Sequence, residues 1–228
     1  MYIAIDGPDF VGKTSIINEL KIELEHCRSP IYFTRQPGDV NFTRQPGDVS
    51  SPTCKVLREL VLNDKYPMDY FTTELLFIAD IAENIKTGVM PYTNVITDRG
   101  LLTHYAYCHA RGILTEFLGN AYFQAHRGVI PFVTYLIKCD PKIVKERRKK
   151  VKPEFTDGKD KVESEDAEFH AKVSDYFDYI EKASKVGEFK LFGTNKYYNN
   201  VHPISNNGDI EDTVAEIIFD INSKGLIA

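Results

Sequence analysis

The sequence predicts an α/β fold of three layers, a five-stranded parallel sheet with helices on both faces. Short apolar runs alternate with stretches of helical periodicity along the 228 residues. Each strand candidate is separated from the next by such a stretch, which implies crossover connections and therefore parallel pairing. The first apolar run also passes through a glycine loop straight into a helical stretch. In folds of this kind, ligands bind beyond the carboxyl ends of the strands, so chemistry is sought just after each strand.

In chain order, the first strand is the apolar run Tyr2–Asp6, and Lys13–His26 follows as a helix with Ile16, Ile17, Leu20 and Leu24 at helical spacing. Apolar runs make Ile31–Arg35, Val95–Asp98 and Phe132–Cys139 strands, with Asn200–Ile204 completing the five. Helical periodicity assigns Pro52–Asn63, Tyr70–Thr87, Leu102–Arg111, Glu116–His126, Pro141–Lys150, Ser164–Val186 and Ile210–Asn222. Phe33–Val40 (FTRQPGDV) recurs unaltered as Phe42–Val49, a tandem copy with a period of nine. It is too short for a solenoid, so it lengthens one loop and leaves two copies of whatever that loop does.

Gly7-Pro8-Asp9-Phe10-Val11-Gly12-Lys13-Thr14 fits G-x-x-x-x-G-K-[ST], the phosphate-binding P-loop. Strand, glycine loop and helix in that order let backbone N–H groups approach phosphate oxygens at the positive end of a helix. The expected nucleotide contacts are Gly7, Pro8, Asp9, Phe10, Val11, Gly12, Lys13, Thr14 and Ser15, with Lys13 reaching the β- and γ-phosphates and Thr14 ligating Mg²⁺. Asp98-Arg99-Gly100 follows the third strand candidate. Asp98 at that strand end can hold Mg²⁺ directly or through water, and Arg99 can clamp transferring phosphate oxygens. The chain is expected to bind a nucleoside triphosphate.

Composition is that of one globular unit, 43% hydrophobic and 27% charged. The net charge of −5 argues against coating a nucleic-acid polymer. Cys27, Cys54, Cys108 and Cys139 show no C-x-x-C pairing and read as reduced thiols rather than metal ligands. No leader precedes the P-loop and no apolar run reaches the ~18 residues of a membrane span. The expectation is a cytoplasmic protein with no membrane partner.

Five motifs in order resemble the thymidylate kinases: the P-loop with Asp9 at its third position, Thr43-Arg44-Gln45-Pro46-Gly47, and Leu57-Arg58-Glu59-Leu60-Val61-Leu62. Then come Leu76-Phe77-Ile78-Ala79-Asp80 and Asp98-Arg99 through Thr103 to Ala106-Tyr107. A later stretch, Asp160-Lys161-Val162-Glu163 with Phe169-His170 and Val173, looks like the family's D-R-F-E…F-H-x-R-V. The resemblance implies a P-loop NTPase fold and Mg²⁺-dependent transfer of the γ-phosphoryl of ATP to a deoxynucleoside 5′-monophosphate, dTMP first, in dTTP synthesis. It also implies a homodimer. Carried over, the catalytic residues are Lys13, Arg99, Asp9 and Arg147. The acceptor contacts are Asp9, Arg35 or Arg44 on the phosphate, Phe77 stacked on the base, Arg99, Thr103, and Tyr107 under the sugar. The metal ligands are Thr14 and Asp98. The spacing of the second duplicated copy to Leu57-Arg58 favours Arg44. The basic run Lys145, Arg147, Arg148, Lys149, Lys150 and Lys152 corresponds to a helical lid at about 147–163 within a single domain, 1–228, with Arg147 as its nucleotide-contacting arginine.

The sequence departs from the family at four points. Ile81 stands where an arginine hydrogen-bonds the thymine carbonyl, Gly100 replaces the D-R-Y tyrosine, Cys108 replaces Gln or Asn, and Phe10 replaces a glycine of the P-loop. Two base-edge groups are thereby lost, and polar pairing to a substrate edge is the strong source of discrimination. A broad-specificity deoxynucleoside-monophosphate kinase is the alternative, and a deoxynucleoside kinase is a further one. A P-loop GTPase switch would need N-K-x-D, but Asn195-Lys196 is followed by Tyr198 where aspartate belongs. His104 and His109 read as packing, since phosphoryl transfer needs no strong base. Tyr176, Tyr179, Tyr197 and Tyr198 read the same way.

Overall fold

The computed structural model describes residues 1–36, 43–44, 47–48, 51–63, 65–150 and 165–226. The elements run β1 (Tyr2–Asp6), α1 (Lys13–Glu23), β2 (Tyr32–Arg35), β3 (Thr43–Arg44), β4 (Gly47–Asp48), α2 (Pro52–Leu62) and α3 (Tyr70–Asn84). There follow β5 (Val95–Asp98), α4 (Leu101–Ala110), α5 (Glu116–Ala125), β6 (Val133–Lys138), α6 (Pro141–Lys150), α7 (Ala167–Lys185), β7 (Val201–Ser205) and α8 (Ile210–Ser223). The main sheet has five parallel strands in the order β2-β5-β1-β6-β7. This is the predicted fold, with β1 at the centre where the chain winds both ways.

Alternation along β1 divides the core. Ile3 and Ile5 face a cluster with Ile16, Ile17 and Leu20 of α1 and Val214, Ile217 and Ile221 of α8. Tyr2 faces the opposite cluster, built from Phe77 and Ile81 of α3, Tyr105 of α4, Tyr122 of α5 and Phe177 of α7. Each fully buried side chain of this size stabilises the fold by roughly 1.5–3 kcal/mol relative to exposure. Both faces are covered, as a parallel sheet requires.

Local chemistry sets the helix ends. Ser51 Oγ accepts from Thr53 N–H ahead of Pro52, Asp69 caps α3 through Thr72 N–H, Thr115 caps α5 through Leu118 N–H, and Asp166 caps α7 through Phe169 N–H. The expected helix through Thr87 instead changes to a π-helical turn at Ile85–Val89, closed by Met90 N–H on Ile85 O at 2.9 Å. Just before it, Asn84 Nδ2 donates to Thr34 Oγ1 at 2.9 Å and Arg35 O at 3.3 Å, tying α3 to the end of β2. Within the duplicated loop the described residues form a small antiparallel pair, Thr43 with Asp48 and Arg44 with Gly47. Of the expected lid, residues 147–150 end α6, whereas 151–163 lie outside the described residues, as do Gln45 and Pro46.

Candidate active site

The P-loop leaves the carboxyl end of β1 between β5 and β6, where a doubly wound sheet opens its crevice. Gly12 begins α1 with φ +97°, and a Cβ there would stand 2.4 Å from Asn206 Nδ2. Only glycine meets both demands. It also has no side chain with which to cap the first turn of α1, where Thr14 and Ser15 are exposed. Lys13 is buried, its ammonium donating to Gly7 O at 2.9 Å and Pro8 O at 2.5 Å. Burial, reinforced by the Arg99 guanidinium, lowers its pKa to about 7 against the pull of Asp9, Asp98 and Asp6.

Arg99 directly follows β5 in the left-handed region, at φ +68°. A non-glycine residue there costs on the order of 1–3 kcal/mol, and such strain gathers at functional sites. The turn is fixed by Arg99 N–H on Ile5 O at 3.0 Å and by Thr97 Oγ1 on Arg99 O at 3.0 Å. It carries the guanidinium onto the P-loop, where Nη2 donates to Asp9 Oδ1. Tyr107 Oη donates to Asp9 Oδ2 at 2.5 Å, and the Arg99 guanidinium carbon lies 5.6 Å from the Tyr107 ring centroid. His170 Nδ1 lies 3.8 Å from the same carboxylate. Burial disfavours charge on Asp9, but Arg99, Lys13 and Tyr107 outweigh it and hold the carboxyl well below the usual range. Lys13, Asp9, Arg99 and Tyr107 thus form one charged cluster.

Thr103 and Gly100 converge on Asp6, which sequence reasoning had assigned only to the end of a strand. The Thr103 hydroxyl and Gly100 N–H, at 3.0 Å, both donate to Asp6 Oδ1. A Cβ on residue 100 would lie 3.0 Å from Ala4 Cβ and 3.2 Å from Asp6 Oδ2, which accounts for glycine where the family carries tyrosine. Burial raises the Asp6 pKa, offset in part by these bonds. Asp98 is buried, with Oδ2 at 3.3 Å from Arg35 Nε, and the two residues are register partners across β2 and β5. Of the duplicated arginines, Arg35 therefore ends a strand of the main sheet at the site, and Arg44 belongs to the small antiparallel pair.

Arg147 lies on the other side of the P-loop. It donates to Val11 O at 2.9 Å and Asn206 O at 3.2 Å, and Asn206 Nδ2 donates to the same Val11 carbonyl at 2.7 Å. Asn206 was missed in the sequence, although it directly follows β7 and the strand-end rule points to that position. Phe77 is buried on α3, its ring 5.9 Å from that of His104, which stacks on Tyr122 at 4.9 Å. Beside them lies a second unforeseen group: Arg111 Nη1 donates to Glu74 Oε1 at 2.6 Å, and Tyr122 donates to Glu74 Oε2. Ile81 and Cys108 are fully buried in the same layer.

Residues 5–203 match the family described as thymidylate kinase, a span that includes every candidate site residue. The chain belongs to the thymidylate kinase family. The thymidylate kinase of Carboxydothermus hydrogenoformans is 30% identical over 181 residues, 77% of this chain and 81% of that protein. That of Sulfurihydrogenibium sp. is 29% identical over 211 residues, covering 89% and 93%. That of Finegoldia magna is 29% identical over 191 residues, covering 81% and 86%. As a thymidylate kinase family member the chain is a phosphotransferase. Asn206 lies just beyond the matched span, so its hold on the P-loop comes from a segment the family match leaves out. No helix among the described residues is long and apolar enough to cross a membrane.

Proposed function

We propose that this protein transfers the γ-phosphoryl group of ATP to dTMP, giving dTDP. The observation that carries the reading is the Asp9–Arg99–Tyr107 cluster set against Lys13 at the mouth of β1. Phosphoryl transfer asks a protein chiefly for positioning and positive charge. Lys13 and the loop N–H groups hold the donor. Arg99, fixed by Asp9, bridges donor and acceptor phosphates, and Tyr107 lies beneath the acceptor sugar. The Arg35 side chain meets the Asp98 carboxylate, which supports Arg35 as an acceptor-phosphate ligand. Phe77 borders the base.

Thr14 and Asp98 suit Mg²⁺, a hard cation that takes few protein oxygens beside phosphate. The Thr14 side chain lies on an exposed turn, and buried Asp98, whose Oδ2 pairs with Arg35, leaves Oδ1 without a hydrogen bond among the described residues. When bound, the ion neutralises charge on the β- and γ-phosphates. Arg147 braces the loop that carries the donor. We further infer a cytoplasmic location and, supported by exposed apolar residues on α3 and α5, a homodimer.

A second reading, broader acceptor specificity, is favoured by Ile81 and Cys108, which offer the base no strong hydrogen-bonding group. One assay decides between them: ADP formation from Mg·ATP with dTMP, dCMP, dGMP, dAMP or thymidine. A preference for dTMP of at least about 100-fold, as polar recognition of a base edge provides, supports the first reading. Comparable rates on all monophosphates support the second. Phosphorylation of thymidine alone overturns both. In the same assay Arg99→Ala should lower kcat by on the order of 10²–10³, the scale of losing one transition-state donor.

A further inference from the structure

Phe10, in the P-loop, is the second non-glycine residue of this site in left-handed backbone, after Arg99. Its backbone sits at φ +65°, a conformation that strains a bulky residue and leaves glycine unstrained. A phosphate cradle is made of backbone N–H groups and needs no side chain at this position. The ring must therefore serve something other than the cradle.

Its contacts say what. The Arg148 guanidinium carbon lies 5.6 Å from the Phe10 ring centroid, and the His170 ring meets it edge-on at 6.5 Å. Arg148 is near the end of α6 and His170 is in the first turn of α7, so one ring touches both helices. Arg148 also donates to Glu165 O at 3.4 Å, just ahead of α7. The neighbours of Phe10 repeat the pattern. Asp9 lies 3.8 Å from His170 of α7, and Val11 O accepts from Arg147 of α6. Three consecutive P-loop residues thus each approach or bond α6, α7 or both. Phe10, Arg148 and His170 together line a cavity of about 730 Å³ between the loop and these helices, so the ring spans open space rather than filling a packed core.

We propose that Phe10 is a positioning residue that couples the P-loop to the end of α6 and the start of α7, holding Arg147 and Arg148 of α6 against the loop that carries the donor. The kinetic part of this inference rests on the phosphotransfer reading above; the structural part does not. The cation–π and edge contacts together offset the backbone strain. Losing them leaves the cradle intact and releases the helix ends.

The test compares Phe10→Gly, Phe10→Leu and Phe10→Tyr by amide hydrogen exchange and steady-state kinetics. In Phe10→Gly, exchange in the last turn of α6 and the first turn of α7 should rise at least about tenfold, the ratio corresponding to ~1.4 kcal/mol. The central strands should stay protected. The same variant should lose at least about tenfold in kcat with KM for ATP within about threefold, the split expected when only the transition-state arrangement is lost. Phe10→Leu should fall between, and Phe10→Tyr, which keeps the ring, should restore protection and kcat. Unchanged exchange at both helix ends in Phe10→Gly overturns the coupling whatever the activity of the wild type. Loss of protection spread evenly over the sheet, or equal losses in Phe10→Gly and Phe10→Tyr, overturns it as well. A wild-type chain inactive on every acceptor overturns the phosphotransfer reading and the kinetic part together, while the exchange data still decide the coupling.

Discussion

Lys13 shows how far a residue's chemistry departs from its type. The P-loop pattern identifies it, but only burial beside Arg99 lowers its pKa to about 7. Phosphate oxygens favour its charged form, so nucleotide binding above that pH must draw a proton onto the neutral amine. Titration calorimetry at about pH 8.5 in buffers of different ionisation enthalpy should record uptake approaching one proton per ATP, and Lys13→Arg should abolish it. Affinity for ATP should fall as pH rises above about 7. The same depressed pKa means that the native state holds fewer protons than the unfolded chain between about 7 and 10.5, so this group makes stability rise with pH across that window. Asp9 has the same sense in a more acid window: against the cost of burial, Arg99 and Lys13 hold its carboxyl well below the usual range, so there too the unfolded chain binds more protons than the native state. Its contribution persists at neutral pH and is lost only in strong acid.

Among the elements, α3, α4 and α5 meet through a buried ionic group rather than through apolar contact alone. Arg111 and Glu74 have side chains 3% and 1% exposed and bond at 2.6 Å, with Tyr122 donating to the same carboxylate. Such a pair adds little over apolar packing, yet removing one partner strands a buried charge. Arg111→Met should cost ~3–5 kcal/mol. For a chain of this size that is a fall in Tm on the order of 10 °C by calorimetry. Glu74→Leu combined with Arg111→Met should recover much of that loss. Nothing in the sequence marked these two residues as partners, because Glu74 lies on α3, Arg111 directly follows α4, and neither belongs to a family motif. Asn206 escaped notice for a similar reason: one asparagine after the last strand carries meaning only once β7 is seen beside β6 and its amide reaches Val11 O.

On the scale of the whole molecule, α3 and α5 expose neighbouring apolar residues that the core does not use. Phe71 is 44% exposed, Leu75 41% and Phe117 62%, with the two phenylalanine rings stacked 6.2 Å apart on neighbouring helices. Monomers rarely leave such neighbours open to water, and this face is where the inferred homodimer would close. Light scattering after size exclusion should give twice the 26.0 kDa chain mass. Phe71→Glu with Phe117→Glu should return it to the monomer while leaving the fold intact by circular dichroism. A wild-type monomer at micromolar concentration would remove the dimer from the account.

The sequence by itself determined the five-stranded parallel sheet, because apolar runs separated by helical stretches admit few other arrangements, and it determined the P-loop, because that chemistry is local and contiguous. It also marked Asp98 and Arg99, since a strand end in such a sheet is a place for function. Only the tertiary structure decided how these residues act on one another. Long-range packing turns Arg99 through a left-handed backbone onto Asp9, brings Asp6 under Thr103 and Gly100, and ties Val11 to Asn206, 195 positions away. It also brings Arg35 to Asp98 and gives the Phe10 ring two helices to hold. Local pattern encodes which elements form, whereas burial and the direction of side chains arise only when distant segments close on one another.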